Sequence, residues 1–502
     1  MMAAVRTFVR ERSAWPWLAV MIAFVTVVSL SFLLGQSLRL DEAQSFFQTA
    51  RTPSRLLELV AQDVHVPLYH LLLHVWSVAF GNGVATARIL SLLFFAATIP
   101  VVYLIGKENF SRRIGLTAAL LITISPFMNW YGSEARMYTL LTFMTVLNQL
   151  YFMRAWKKGG NSWIGYGVTA VLGMYSHYFF ALVLVTQAIF YLTHRKSFQE
   201  GALKRLTAVA VAVGVALAPW LYFVFLQGSA SSTKPQLAKP TSVDLFNTFS
   251  QFLFGFQTNY INTIIVSLWP ILVLLSFLTL QRKKKMDSSA MYFAYAGIIP
   301  IVFAFLFSIG VRPLYLSRYL IVCLPALYLF IASVFSSYST KFRLLLGAFL
   351  VLTMAGTLYV EIVSPLTPVK ENYLGATRYL EKNAEPQDVV LVSAPFTIYP
   401  IDYYYVGRAS VLTLPLWDRN KAGSAPAFNA QTLPGEVMKV TSDKQYAWLL
   451  LSYDQGYQKT IKGYFDGHYA MVDKQRFSDD LILYKYKVRY DPVVDLSAPA
   501  TP

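Results

Sequence analysis

The chain has 502 residues, 56% hydrophobic and 14% charged, with a mean hydropathy of +0.46. No soluble domain of this size needs so much apolar surface, and apolar runs long enough to cross a bilayer, about 20 residues each, recur through residue 363. The net charge of +17 falls entirely before residue 364, where 28 basic residues face 11 acidic ones, while 364–502 holds 15 of each; membrane topology explains that excess and argues against a nucleic-acid partner.

Arg6, Arg10 and Arg12 precede the first apolar run, Trp17 to Leu34. The run is long for a signal peptide and no small-residue cleavage site follows it, so it reads as an uncleaved anchor with a cytoplasmic N-terminus. Arg39-Leu40-Asp41-Glu42 comes next. Two adjacent carboxylates at the mouth of a membrane helix are costly near hydrocarbon and usually functional. Residues 41–82 read as non-spanning. Thr52-Pro53 resembles a helix N-cap followed by proline at the first helical position, with Leu56, Leu57 and Val60 on one face. A second short helix starts near Pro67 and runs through Leu71, Leu72, Val75 and Trp76. Amphipathic helices of this kind lie in the membrane interface.

Further spans are predicted over 85–106, 114–130, 138–155, 162–176, 178–193, 206–227, 263–280, 290–310, 319–336 and 342–363, about eleven with the first. Basic loops alternate: one set of loops carries 19 basic residues and four acids, the other nine and seven. The positive-inside rule then puts the N-terminus inside and the C-terminus outside. Lys234, Pro235, Lys239 and Pro240 mark 228–262 as a mobile loop, a candidate neighbourhood for the acceptor. The single cysteine, Cys323, lies in an apolar run, so no disulfide forms within the chain. From 364 to 502 the pattern changes. Strands over 388–392, 410–413, 447–451 and 481–484 alternate with helices near 371–383, 433–441 and 455–466, which predicts a small α/β extracytoplasmic domain.

The unusual polar residues fall at outer ends of spans: Asp41 and Glu42, His65, Glu134 and Arg136, His177 and Tyr178, and Arg312, Arg318 and Tyr319. Acids, bases and aromatics at one membrane depth are what an active site at the outer leaflet needs. Each also has a plainer explanation. Asp41 and Glu42 could open a solvated loop, Glu134 and Arg136 could pair structurally, and His65 and His177 could bridge helices or bond a backbone carbonyl. Arg318 could snorkel to headgroups. His70 and His74 have helical spacing but no acid completes a metal motif.

At these residues the chain resembles GT-C fold glycosyltransferases, more narrowly the bacterial relatives of protein O-mannosyltransferases and of the aminoarabinose transferase that modifies lipid A. The matching pieces are Asp41-Glu42 after the first span, the stretch from His65 to Trp76, Glu134-Ala135-Arg136-Met137-Tyr138, Ser176-His177-Tyr178-Phe179 and Ser317-Arg318-Tyr319-Leu320. Val66 departs from the pattern, since many relatives carry a second proline there. The resemblance implies a polytopic GT-C membrane domain over 1–363, a smaller domain over 364–502, and residence in the plasma membrane, the inner membrane of a bacterium. It also implies a polyprenyl-phosphate sugar as donor and a protein, lipid or polysaccharide as acceptor.

By the same resemblance Asp41 is the base that takes the acceptor hydroxyl's proton, and inversion follows attack at the anomeric carbon. A carboxylate near hydrocarbon is desolvated, which strengthens it as a base. Arg318 is the first choice for the donor phosphate, with Arg136 and Arg312 behind it. Glu42, His65 and Glu134 would support Asp41, orient the acceptor or hold a divalent ion; metal dependence varies in GT-C enzymes, so Mg or Mn stays open. Tyr138, His177, Tyr178 and Tyr319 complete the expected substrate-binding set. The alternative is a lipid or solute transporter or flippase, which would place its charges nearer the bilayer midplane and often shows internal repeats.

Overall fold

The computed structural model describes residues 14–63, 65–227, 237–257, 274–275, 278, 287–419 and 425–488. They form two compact units. Segments 14–35, 48–227 and 237–368 belong to the first, while 36–47 joins 369–488 in the second.

The first unit is helical. Among the described residues six helices are long and apolar enough to cross a bilayer: Trp15–Phe32, Val84–Asn109, Ala202–Leu226, Ser288–Gly310, Ser317–Phe335 and Thr340–Val363. The predicted span over 114–130 is broken. Pro126 has no N–H with which to continue a helix, and Ser125 Oγ accepts from Met128 N at 3.2 Å, so helix Arg112–Ile124 stops and helix Pro126–Gly132 starts at a 60° bend. Asn129 repairs the break, its Nδ2 donating to the carbonyls of Thr123 and Ser125, both at 2.8 Å. Gly106 and Gly115 let two helices meet backbone to backbone: a Cβ added to Gly106 would lie 2.5 Å from Gly115 Cα.

The predicted spans over 138–155, 162–176 and 178–193 are helices Tyr138–Lys158, Ser162–Ser176 and Ala181–His194. The first buries Thr139, Thr142, Thr145, Asn148 and Gln149. Asn148 bonds across helices, accepting from Gln187 Nε2 at 2.8 Å and donating to Thr169 Oγ1 at 3.1 Å. The span expected over 263–280 lies almost wholly outside the described residues.

Helices Pro53–Gln62 and Leu68–Phe80 form where expected. Thr52 holds the N-cap position, but its hydroxyl meets Ser54 Oγ at 3.3 Å instead of capping a backbone N–H. The apolar face of the first is covered by protein, where Leu56, Val60 and Ala61 pack with Val66 and Trp220, whereas the second leaves Val75, Val78 and Phe80 exposed. Within the loop expected over 228–262, residues 242–254 are helical, opened by a capping box in which Thr241 N donates to Asp244 Oδ2 at 2.7 Å.

The second unit is a five-stranded mixed sheet in the order β2-β1-β3-β5-β4, with β1 Val389–Ser393, β2 Ser410–Thr413, β3 Tyr446–Leu451, β4 Ala470–Ser478 and β5 Leu481–Lys487. β1 pairs parallel with β2 and β3, and β5 pairs antiparallel with β3 and β4. The central strands are continuous apolar runs because both faces are covered. Helices Leu433–Thr441 and Gln458–His468 pack on Leu391, Leu449 and Tyr484, while Tyr373–Asn383 and Ile398–Tyr404 pack on Val390, Val392 and Trp448. Sequence reasoning passed over β4, whose Asp473, Lys474 and Arg476 are the charges that protect an edge strand.

Candidate active site

In the first unit His65, Arg136, His177, Arg318, Tyr138 and Tyr319 come together. His65 sits in the connection between helices Pro53–Gln62 and Leu68–Phe80, and Arg136 on the turn that follows Pro126–Gly132. They are 7% and 2% exposed, and Arg136 Nη2 lies 2.8 Å from His65 Nε2. A guanidinium only donates, so His65 Nε2 must be the acceptor and the ring proton belongs on Nδ1. Burial, and then the Arg136 charge, hold the His65 pKa well below its ordinary value, with His70, His177 and Arg318 adding to the effect. The imidazole is neutral, and its 3.7 Å approach to Asp63 Oδ2 is not an ion pair.

Arg136 and Arg318 both lie within electrostatic reach of His177 as well. The His177 ring stands 5.1 Å from Tyr319 and 6.5 Å from Tyr138, and the Arg318 guanidinium is 5.6 Å from the Tyr319 ring centre. His177 also accepts from Phe179 N at 3.1 Å, which fixes its ring at the helix break. Glu134 is buried on the same turn as Arg136, whose N–H donates to the Glu134 carbonyl at 2.7 Å. Two expected members stand apart. Tyr178 turns its hydroxyl to Trp220 Nε1 at 3.0 Å, and Arg312 is exposed just beyond helix Ser288–Gly310, where the helix end points it outward.

Asp41 and Glu42 belong to the second unit and open helix Leu40–Thr49. Glu42 is fully buried, and its Oε2 accepts from Arg39 N at 2.8 Å, the N3 half of a capping box. That bond gives Glu42 a structural task. Asp41 stands in the same first turn, where the helix dipole favours a carboxylate. The preceding segment and the helix itself are tied to the C-terminal part of the unit: Ser37 Oγ donates to the Glu371 carbonyl, Leu38 N donates to Tyr404 OH at 2.8 Å, and Phe46 of the helix meets Tyr403 at 5.1 Å.

Sequence reasoning missed Glu371. Its carboxylate accepts from Tyr453 OH, and Arg39, Asp41 and Asp480 lie within electrostatic reach. Burial pushes the Glu371 carboxyl up to about 7; Asp41 and Asp480 push the same way, while Tyr453 and Arg39 oppose. Glu371 and Asp41 are far apart in the chain, and no motif links them.

Among the described residues no group of three or more His, Cys, Asp or Glu side chains is placed to hold a metal ion.

A family model described as dolichyl-phosphate-mannose-protein mannosyltransferase matches residues 64–223, which include His65, Glu134, Arg136, Tyr138, His177 and Tyr178 but neither Asp41 nor Arg318. Among solved structures, apo ArnT from Cupriavidus metallidurans is similar with a TM-score of 0.66 at 14% identity, covering 94% of this chain and 98% of that one. The same protein bound to undecaprenyl phosphate is similar at 0.61 and 13%, with equal coverage. The arabinofuranosyltransferase AftD from Mycobacteria is similar at 0.53 and 15%, over 95% of this chain and 42% of that one. A search of curated protein sequences finds no match. The chain has the GT-C fold of ArnT and AftD, and fold and family model together class it as a multi-pass membrane glycosyltransferase.

Proposed function

We propose that the protein moves a sugar from a polyprenyl-phosphate donor to an acceptor hydroxyl, with inversion, at the outer face of the plasma membrane. The observation that carries this is the buried neutral His65 held against Arg136, with Arg318 in reach of the same imidazole. Two guanidinium groups beside neutral imidazoles and aromatic rings suit a lipid-linked phosphate ester, which is anionic and sits in the bilayer. The undecaprenyl phosphate bound to ArnT supports the same donor class.

In the reaction the acceptor oxygen attacks the anomeric carbon and the bond from that carbon to the phosphate oxygen breaks. The electron pair leaves with the polyprenyl phosphate, whose growing charge Arg136 and Arg318 stabilise. The hydroxyl proton goes to Asp41, assigned as base from its place after the first span. Residues 1–363 would form the membrane catalytic domain and 364–502 an extracytoplasmic one, with the N-terminus in the cytoplasm; the excess of basic residues on alternate loops supports this orientation. A bacterial inner membrane, and a protein, lipid or polysaccharide acceptor, follow from the family resemblance.

The test is release of free polyprenyl phosphate by purified protein in detergent, given a panel of polyprenyl-phosphate sugars and mixed envelope acceptors. Release by the wild type that falls more than about 100-fold in Asp41→Asn is the expected result. Movement of intact donor between leaflets of a liposome, with no release in either format, would replace the transferase by a flippase.

A further inference from the structure

Asp41 does not stand alone in its unit. The segment that carries it is bonded to the C-terminal part of the same unit, at Ser37 to the Glu371 carbonyl just past the last span and at Leu38 to Tyr404 at the end of helix Ile398–Tyr404. The Glu371 side chain is in turn held by Tyr453. Tyr453 has a backbone φ of +55°, in the left-handed region that a bulky residue rarely adopts, and its N–H donates to Asp480 Oδ2 at 2.6 Å. A strained aromatic residue fixed at both ends, with its hydroxyl on a carboxyl in electrostatic reach of Asp41, is a costly arrangement for a domain to keep.

We propose that Glu371, locked by Tyr453, is a positioning residue for Asp41, setting the charge around the base from the C-terminal unit. The role assigned to Asp41 rests on the proposed function; the coupling between the two carboxyls does not. The charged and titratable groups around Glu371 are Arg39, Asp41, Asp480, Tyr453 and Tyr373. Below about 7 Glu371 is protonated and adds no negative charge beside Asp41. Above about 7 Glu371 ionises, in electrostatic reach of Arg39, and places a second negative charge beside the base.

Two measurements on the full-length protein test this. The first is the melting temperature from pH 5 to 9 for wild type, Glu371→Gln, Asp41→Asn and the double variant. Glu371 binds its proton more tightly folded than unfolded, so the wild type loses stability relative to Glu371→Gln as pH rises through the window from 4.5 to about 7. In the Asp41→Asn background the midpoint of that difference moves to lower pH. A difference independent of pH, or a midpoint unmoved by Asp41→Asn, would overturn the coupling. The second is the pH profile of polyprenyl-phosphate release. A loss of rate above pH 7 that Glu371→Gln removes, and that Tyr453→Phe shifts, is expected; the same alkaline limb in Glu371→Gln would overturn the positioning role. If no donor is turned over at all, the proposed function fails while the melting cycle still decides the coupling. Loss of folding in Glu371→Gln is controlled by Tyr453→Phe, which keeps the carboxyl and must show the pH-dependent melting.

Discussion

Arg136→Gln isolates the donor-binding role. The guanidinium is 2% exposed and meets a neutral imidazole, so on the proposed function it meets the donor phosphate from a desolvated position. A hydrogen bond to a charged group contributes about 1.5–3 kcal/mol, and a preorganised donor to a developing anion about 2.7–4 kcal/mol. Arg136→Gln should therefore lower kcat/KM for donor by about 10²–10³, at roughly tenfold per 1.4 kcal/mol. Most of the loss belongs in kcat, since the charge on the leaving phosphate grows only as the bond breaks. His65→Ala removes only the neutral partner that aims the guanidinium, about 1 kcal/mol or some fivefold to tenfold. Because His65 acts through Arg136, the double variant should be no worse than Arg136→Gln alone. The assay is steady-state release of polyprenyl phosphate, on protein shown to be folded by size-exclusion profile and melting. Arg136→Gln within about threefold of wild type would refute donor binding, and additive losses in the double variant would refute positioning by His65.

Glu42→Gln should keep helix Leu40–Thr49 intact, because the amide oxygen can still accept from Arg39 N, whereas Glu42→Ala should cost about 1 kcal/mol of stability; a loss of turnover in Glu42→Gln beyond about 100-fold would make Glu42 catalytic instead. Gly106→Leu drives a side chain into the Gly115 backbone and should cost about 1–3 kcal/mol or more, read as reduced folded yield and a lower Tm. Trp448→Ala empties a side chain that is 1% exposed and removes the indole bond to Asp388 Oδ2 at 3.0 Å, leaving that oxygen the Glu385 N–H at 3.1 Å; a loss of about 3–5 kcal/mol, chiefly from the cavity, is expected in the melting of the C-terminal unit. Burial and Arg136 lower the His65 pKa, so the unfolded chain binds the extra proton and stability falls as pH drops below 6.5; His65→Gln should flatten that acid limb.

Much of this molecule is written in local pattern. Apolar runs announced most of the long helices, though not the break at Ser125 or the helix Ser242–Phe254. Continuous Val and Leu runs announced β1 and β3, because a strand covered on both faces must be apolar along its length. The polar residues that come together in the first unit, His65, Arg136, His177 and Arg318, stood out because charge and imidazole are rare beside membrane helices. Composition and order therefore reached the membrane architecture, while the class of chemistry and the roles of the residues to test came from the family resemblance of short motifs.

Other features depend on contacts between distant parts of the chain. The bend at Ser125 was signalled by Pro126, but Asn129 decides that the break is tolerated, by satisfying the freed carbonyls. Arg312 and Arg318 look equivalent in sequence, yet only Arg318 reaches the imidazoles, since a helix end turns Arg312 outward. Glu42 looks like a twin of Asp41, and the helix start makes it a cap. The bond of Glu371 to Tyr453 and its approach to Asp41 depend on segment 36–47 packing into the C-terminal unit. Local sequence sets which residues are apolar, charged or helical through short-range forces, whereas which charge meets which partner is set by where chain closure brings distant segments, and that is a property of the packed tertiary structure alone.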